Sequence, residues 1–263
     1  MKDQVIVITG ASTGIGAAVA EAVVARGGKV VLAARRETEL GTLAARLGPS
    51  AVPVVTDVTV RADNERLFAR ALAAFGRVDV WINNAGRGIS RPVSQLTDAD
   101  LDDMITMNVK SVLYGIQAVL PHFKEQRAGH IMTISSMLSR LPLAAQRSAY
   151  SASKAAVNLL MGSLRMELRA EFPGIHVTTV LPGVVATEFG VNALHGGMDS
   201  RQLPGAQPVA EVATVIADAI ERPRADVYTR PQLRDLLIRY YSADDATEIE
   251  GQPPFTMPPR AAT

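Results

Sequence analysis

Short runs of β-branched and aliphatic residues recur along this chain at positions 4–9, 29–34, 51–55, 78–82, 130–135, 175–181 and, more weakly, 226–229. Several are apolar at every position rather than at alternate ones. A strand carries such a run only when both of its faces are covered, as a parallel strand between two helical layers is. The stretches between the runs supply those layers. Ile15, Ala18, Val19, Ala22 and Val23 fall on one face of a helix, as do Leu67, Phe68, Leu72 and Phe75. Val157, Leu160, Met161, Leu164 and Leu168 form a third stripe, and Val212, Val215, Ile216, Ala219 and Ile220 a fourth. The alternation predicts an α/β protein, a doubly wound parallel sheet of about seven strands with helices on both faces. Such sheets bind ligands at the carboxyl ends of their strands.

A chain of 263 residues can form one such unit. We expect a single domain over 1–250 and a tail over 251–263, which holds four prolines and no periodicity. Pro231 opens a short helix with Leu233, Leu236, Leu237 and Tyr240 on one side. Residues 188–208 carry Gly, Pro and mixed polarity between a strand and a helix, and loops that long are usually functional or mobile. The 27 Lys and Arg balance 26 Asp and Glu. No global field therefore draws the chain to nucleic acid or to an anionic membrane. There is no cysteine, which removes thiolate chemistry and zinc ribbons. The N-terminal segment lacks the features of a signal peptide, and no apolar run reaches membrane-spanning length. The default expectation is a cytoplasmic protein.

The first chemical motif is Thr9-Gly-Ala-Ser-Thr-Gly-Ile-Gly16, between the first strand and the first helix. Its glycines allow a sharp turn and close approach of a pyrophosphate to the free N–H groups of a helix N-terminus. A plain tight turn fits the same residues. At the end of the second strand, Ala33 and Ala34 stand where an NAD site generally has an acidic residue for the ribose 2′-hydroxyl. Arg35 and Arg36 follow, and a guanidinium pairs well with a 2′-phosphate. NADP(H) is thus preferred over NAD(H), the alternative being two arginines that solvate a helix start. Asp57 and Val58 end the third strand, and Asn83-Asn-Ala-Gly86 the fourth. Asp57 suits an adenine amino group, and Asn84 and Gly86 suit a loop crossing near the cofactor; each is equally an Asx turn.

Asn108 lies within the apolar stripe of a helix over 101–123, built from Leu101, Ile105, Val112, Ile116, Leu120 and Phe123. A buried amide needs partners, so it satisfies backbone groups or holds a water. Ser135 and Ser136 end the fifth strand without the flanking glycines of a nucleophile elbow. Tyr150 and Lys154 are four apart, on one helical face. An ammonium there favours the phenolate and draws a group with reference pKa of about 10 toward working pH. The histidines at 122, 130, 176 and 195 show no triad or metal spacing; His195 is placed to line a pocket. Leu181-Pro-Gly-Val-Val-Ala-Thr187 stops the sixth strand and turns Val185 and Thr187 toward a cofactor amide, or is simply a loop.

Taken together, TGASTGIG, NNAG, the asparagine of MNV, ISS, YSASK and PGVVAT resemble the short-chain dehydrogenase/reductase family, in its order and approximate spacing over 9–187. The resemblance implies a Rossmann-like domain and an NADP-dependent oxidoreductase acting on CH–OH or C=O groups. It makes Tyr150 the general acid and base, with Lys154 lowering its pKa and binding the nicotinamide ribose. Ser136 would bind the substrate oxygen and Asn108 hold a relay water. Gly10, Ser12, Gly14, Ile15 and Gly16 would cradle the dinucleotide, with Arg35 at the 2′-phosphate. Asp57, Val58 and Asn84 would meet the adenosine half, and Pro182, Gly183, Val185 and Thr187 the nicotinamide. The family usually assembles as dimers or tetramers, and a homotetramer is expected. One departure stands out: Ser136 is fourteen residues before Tyr150, where the family has thirteen. One inserted residue in 137–147 accounts for it; Ser139 is the substitute otherwise. Phe189, Val191, Leu194 and Met198, with Leu138, Leu141 and Leu143, suggest an apolar pocket and a hydrophobic ketone or secondary alcohol. Two rivals remain. A 3-oxoacyl-carrier-protein reductase would present Arg87, Arg91, Arg140 and Arg147 to an acidic carrier, and a non-catalytic NADP-sensing protein would keep the fold without the reaction.

Overall fold

The computed structural model describes residues 1–255. Seven strands, β1 (Val5–Thr9), β2 (Lys29–Ala34), β3 (Ala51–Val55), β4 (Val80–Asn83), β5 (Gly129–Ile134), β6 (Ile175–Leu181) and β7 (Asp226–Tyr228), form one sheet. Every pairing is parallel, in the order β3-β2-β1-β4-β5-β6-β7. Each strand lies within about two residues of its expected position. The helices are α1 (Gly14–Ala25), α2 (Glu37–Leu47), α3 (Arg61–Phe75), α4 (Asp98–Ile105), α5 (Ser111–Gln126), α6 (Ser148–Leu168), α7 (Val209–Glu221), α8 (Pro231–Tyr241) and α9 (Ala246–Glu250). Among them, no helix is long and apolar enough to cross a membrane.

Every residue of β1 is buried because successive side chains enter different cores. Ile6 and Ile8 join Val30, Leu32 and the inward faces of α1, α2 and α7. Val5 and Val7 join Val31, Ala33, Trp81 and the inward faces of α3, α5 and α6. Pro53, which cannot donate to a ladder, sits on edge strand β3. Two positions of the expected stripes fall outside the core: Leu101 and Leu160 are exposed. The tail begins by folding back rather than reaching away, since Phe255 stacks on Tyr240 at 5.3 Å. There α8 turns Leu233, Leu236 and Leu237 onto Met137, Leu141 and Leu181. The remainder of the expected tail, 256–263, lies outside the described residues.

The expected helix over 101–123 is in fact two helices joined by a π-helical turn, Thr106–Lys110. The wider turn carries Asn108 inward. Beyond it, Gly115 lets α5 lie directly on β4: a Cβ there would stand 2.4 Å from Asn83 Oδ1 and 2.6 Å from Trp81 Nε1. Those two atoms are themselves hydrogen-bonded at 2.9 Å.

Residues 188–208 form a pinned cover rather than an open loop. The N–H of Leu194 donates to Gly88 O at 2.8 Å, and that of Ser90 to Leu194 O at 3.0 Å. The hub is Asp100. It closes a capping box with Thr97 at the start of α4, accepts Arg91 Nη1 at 2.8 Å, and accepts His195 Nε2 at 2.7 Å. His195 takes left-handed φ 63° to make that contact, so it anchors the loop and is not a free pocket-lining residue. The His195 bond, the Thr97 N–H and Arg91 outweigh burial and hold the Asp100 carboxyl well below its ordinary 3.8.

Two predictions follow from this packing. Gly115→Ala should destabilise the fold by about 1–3 kcal/mol through overpacking, lowering Tm in thermal unfolding by roughly 3–10 °C. Asp100 has a depressed folded-state pKa, so its contribution is present above about pH 4 and is lost as pH falls further. Asp100→Asn should therefore melt below the wild type at about pH 7, and the gap should begin to narrow as pH falls below about 4. A gap that is constant or widens in acid would contradict this origin.

Candidate active site

The chain leaves β1 for β2 and β3 on one side, then returns to β4 on the other. This reversal opens a crevice at the carboxyl ends of β1 and β4. The glycine turn lies there. Gly10 has φ +65°, and a Cβ on it would meet Ala85 Cα at 2.9 Å; one on Gly16 would meet Gly10 O at 2.4 Å. The Asn84 carboxamide ties the turn down, donating to Thr9 O at 2.8 Å and Gly10 O at 3.1 Å. Thr9 Oγ1 donates to Ile82 O and accepts the N–H groups of Asn84 and Ala85. Helix α1 then begins at Gly14 without a side-chain cap and without an acidic residue in its first turn. Its free N–H groups, beside Ser12 and Ile15, suit a phosphate.

Arg36 reaches over this turn, its Nη2 donating to Ser12 Oγ at 2.9 Å and Thr13 Oγ1 at 2.7 Å. Arg35 is exposed on the other side, close enough to Asp57 to draw its pKa down. Asp57 forms the Asx-type turn that was one of its two readings, with Oδ1 accepting Thr59 N–H at 3.0 Å and Oγ1 at 2.7 Å. Burial raises its pKa, but the Thr59 donors and Arg35 outweigh that, and the net shift is downward. Val58 is buried, its carbonyl held by Asn64 Nδ2 at 3.0 Å. A glycine cradle closed to any Cβ, an uncapped helix start and two cations at the end of β2 fit a dinucleotide.

Thr187 lies across the same turn, its Cγ2 3.4 Å from where a Cβ on Gly14 would be. The segment is fastened by Pro182 O, which accepts Met137 N–H at 2.8 Å, and by buried Val185, which bridges to Gln207. Gly183 faces Leu233 of α8.

The second half of the site gathers where α6 passes β5. Lys154 is 3% exposed, and its Nζ donates to Ile134 O at 2.8 Å. Gly86 brings β4's loop so close that a Cβ would meet Asn108 Oδ1 at 3.0 Å and Lys154 Nζ at 3.3 Å. Asn108 satisfies backbone groups, as one of its readings had it. Its Oδ1 accepts Arg87 N–H, and its Nδ2 donates to Arg87 O and Ser153 Oγ, all at 3.0 Å. Ser153 was not singled out in the sequence; its position three after Tyr150, on the same helical face, was the available signal.

Tyr150 is 6% exposed, packed with Ile89, Met104 and Ala149, and its ring lies 5.4 Å from that of Phe189. The Ser136 hydroxyl lies close enough to the phenol to lower its pKa as a hydrogen-bonding partner would. Ser136 ends β5's exit and caps a short 3-10 turn, Met137–Ser139, through Leu138 N–H at 3.1 Å. Ser139 is not the substitute: its hydroxyl donates to Ser136 O and accepts Asn158 Nδ2 at 2.6 Å.

One electrostatic expectation is overturned. Lys154 does not bring the phenol toward neutrality in this structure. Burial pushes Tyr150 up to about 12, against smaller opposing effects of the Ser136 hydrogen bond and the Arg147 charge. Burial also lowers Lys154 to about 8. The ammonium is directed at Ile134 O and stands 5.9 Å from the centre of the Tyr150 ring. Desolvation therefore governs both groups.

Comparison with known proteins gives this arrangement its context. A family model for short chain dehydrogenase matches residues 4–196. An uncharacterized oxidoreductase of Listeria monocytogenes is 38% identical over 231 residues, 85% of this chain and 92% of its own length. A short-chain dehydrogenase/reductase of Burkholderia phymatum, solved in complex with NAD, superposes with a TM-score of 0.83 at 28% identity over 98% of both chains. The closed form of a serine dehydrogenase complexed with NADP+ superposes at 0.79 with 28% identity, over 86% of this chain and 94% of the other. The crevice, the glycine turn and the matches agree: the chain is an oxidoreductase of the short-chain dehydrogenase/reductase family.

Proposed function

We propose that the protein is an NADP(H)-dependent oxidoreductase that interconverts a ketone and a secondary alcohol of a small molecule, with Tyr150 as general acid and base. The observation that carries this reading is the convergence of Asn108, Ser136, Tyr150 and Lys154 beside Gly86, at the same ends of the strands as the glycine turn. A non-catalytic nucleotide sensor would not need that set. When bound, the nicotinamide supplies the hydride chemistry. The chain holds the dinucleotide at Gly10, Ser12, Gly14, Ile15 and Gly16, with Asp57, Val58 and Asn84 at its adenosine half. Pro182, Gly183, Val185 and Thr187 hold the nicotinamide half, joined by Lys154. Ser136 orients the reacting oxygen, and Tyr150 gives it a proton as the phenol in reduction or takes one as the phenolate in oxidation. Among known neighbours both NAD and NADP complexes occur. The choice of NADP here rests on Arg35 and Arg36 with no acidic residue at the end of β2.

A carrier-protein reductase would need a free basic rim. Three of its four candidate arginines are instead neutralised: Arg87 by Asp103 at 3.2 Å, Arg91 by Asp100 at 2.8 Å and Arg140 by Asp226 at 3.4 Å. That favours a small substrate. Exposed Leu159 and Met166 on α6 offer apolar surface for the expected self-association.

Following NADPH absorbance across a panel of ketones and alcohols tests the reading. Tyr150→Phe should lower kcat/KM by roughly 10³-fold or more while NADPH still binds; an active variant would overturn the assignment. Replacing Arg35 and Arg36 together by alanine should weaken NADPH by roughly 10- to 100-fold and NADH much less. An equal loss for both would remove the cofactor preference.

A further inference from the structure

The fourth of those arginines stands apart. Among the described residues Arg147 forms no salt bridge, and the one hydrogen bond of its guanidinium runs from Nη1 to Ile89 O at 3.2 Å. A guanidinium has five N–H donors, so most of its capacity is open. It is half-buried, and burial pulls its pKa below the usual range, with Tyr150 the one charge partner opposing that. A cation withdrawn from water without a counter-charge is costly unless something supplies one.

Its position shows what could. Arg147 directly precedes α6 and is three residues before Tyr150, so the two side chains share a face of the first turn. Two glycines let the backbone pack closely beside the guanidinium: a Cβ on Gly88 would be 3.0 Å from Nη1, and one on Gly197 would be 3.0 Å from Nη2. The same Gly88 point is 3.0 Å from Phe189 Cε1, and that ring packs on Tyr150. Guanidinium, aromatic ring and phenol thus lie together beside the loop that Asp100 pins.

We propose that Arg147 is a specificity-determining residue that takes the carboxylate of the substrate, which makes the substrate class short oxo acids and their hydroxy acids. This rests on the reading given above. In reduction the carbonyl carbon gains the hydride, its oxygen gains the Tyr150 proton, NADPH becomes NADP+, and the carboxylate stays unchanged on Arg147. The planar fork matches a carboxylate in two parallel hydrogen bonds. A phosphate would bring a second negative charge, and the nearby Arg87 and Arg91 are already paired. Of the apolar residues expected in the pocket, Leu138, Leu194 and Phe189 pack around Tyr150, whereas Leu141 and Leu143 pack toward α8 and Val191 and Met198 are exposed.

The test compares 2-, 3- and 4-oxo acids of about four to six carbons with their methyl esters, with NADPH. The wild type should prefer an acid to its ester by roughly tenfold or more. Arg147→Gln should lose roughly 10- to 100-fold in kcat/KM on the acid, mainly through KM, and far less on the ester. Arg147→Lys should recover part of the loss. NADPH binding, followed by fluorescence, reports whether each variant is folded; if Arg147→Gln is not, the acid-to-ester ratio of Arg147→Lys against wild type decides. Equal losses on acid and ester would show a merely structural arginine and overturn the proposal. So would a wild type that reduces esters, plain ketones or phosphorylated carbonyls better than any oxo acid, with the oxidoreductase reading intact. A wild type that binds NADPH but reduces no carbonyl would instead remove that reading itself.

Discussion

The site depends on one carboxamide. Asn84 sits where β4 ends and holds the carbonyls of Thr9 and Gly10 across the crevice. Parallel strands alone open the crevice but do not fix the turn above it. The Thr9 hydroxyl bonds Ile82 O and, with the Asn84 amide, ties β1 and β4 beyond the last rung of their ladder. With the turn fixed, Gly16 packs against Gly10 O and α1 starts where its uncapped N–H groups face the crevice. Asn84 also directs the chain onward through Gly86 to Asn108 and Lys154. One residue thus couples the two halves of the site, each made by a different βα unit.

The sheet was legible because its signal is periodic. Strands apolar on both faces and helices with a single stripe leave few topologies, and the seven strands lie close to where the pattern put them. What was not legible is local departure from periodicity. The π-helical turn at Thr106–Lys110 adds no residue type that marks it, and a stripe read at 3.6 residues per turn passes straight through it. The extra residue before Tyr150 was visible as a count, but the 3-10 turn at Met137–Ser139 that Ser136 caps carries no periodic signal. His195 looked like a pocket residue because its partner, Asp100, is 95 positions away and first reads as a helix cap.

The charges were the least legible part. Sequence spacing places Lys154 beside Tyr150, and in water that neighbour would dominate. Here both groups are buried, and the loss of water acts on each alone before they act on each other. The consequence favours one direction of the proposed chemistry. A phenol held up to about 12 keeps its proton at neutral pH, so the resting site is a donor waiting for an oxygen that develops negative charge. Lys154, lowered to about 8 by burial, remains mostly cationic there, and in the proposed reaction it would stabilise the phenolate once the proton has left.

Arg147 enters that balance as well, since its charge lowers the phenol's pKa as the phenol's raises its own. An anion paired with the guanidinium would cancel part of this effect and leave Tyr150 a still weaker acid in the ground state. The cost falls on the step where the proton leaves, and Ser136 and Lys154 are the groups positioned to offset it. That division explains why a site with an arginine one helical turn from its acid still keeps a buried lysine on the other side. In the proposed reaction the arginine would choose and orient the substrate, and the lysine would stabilise the charge that the proton leaves behind.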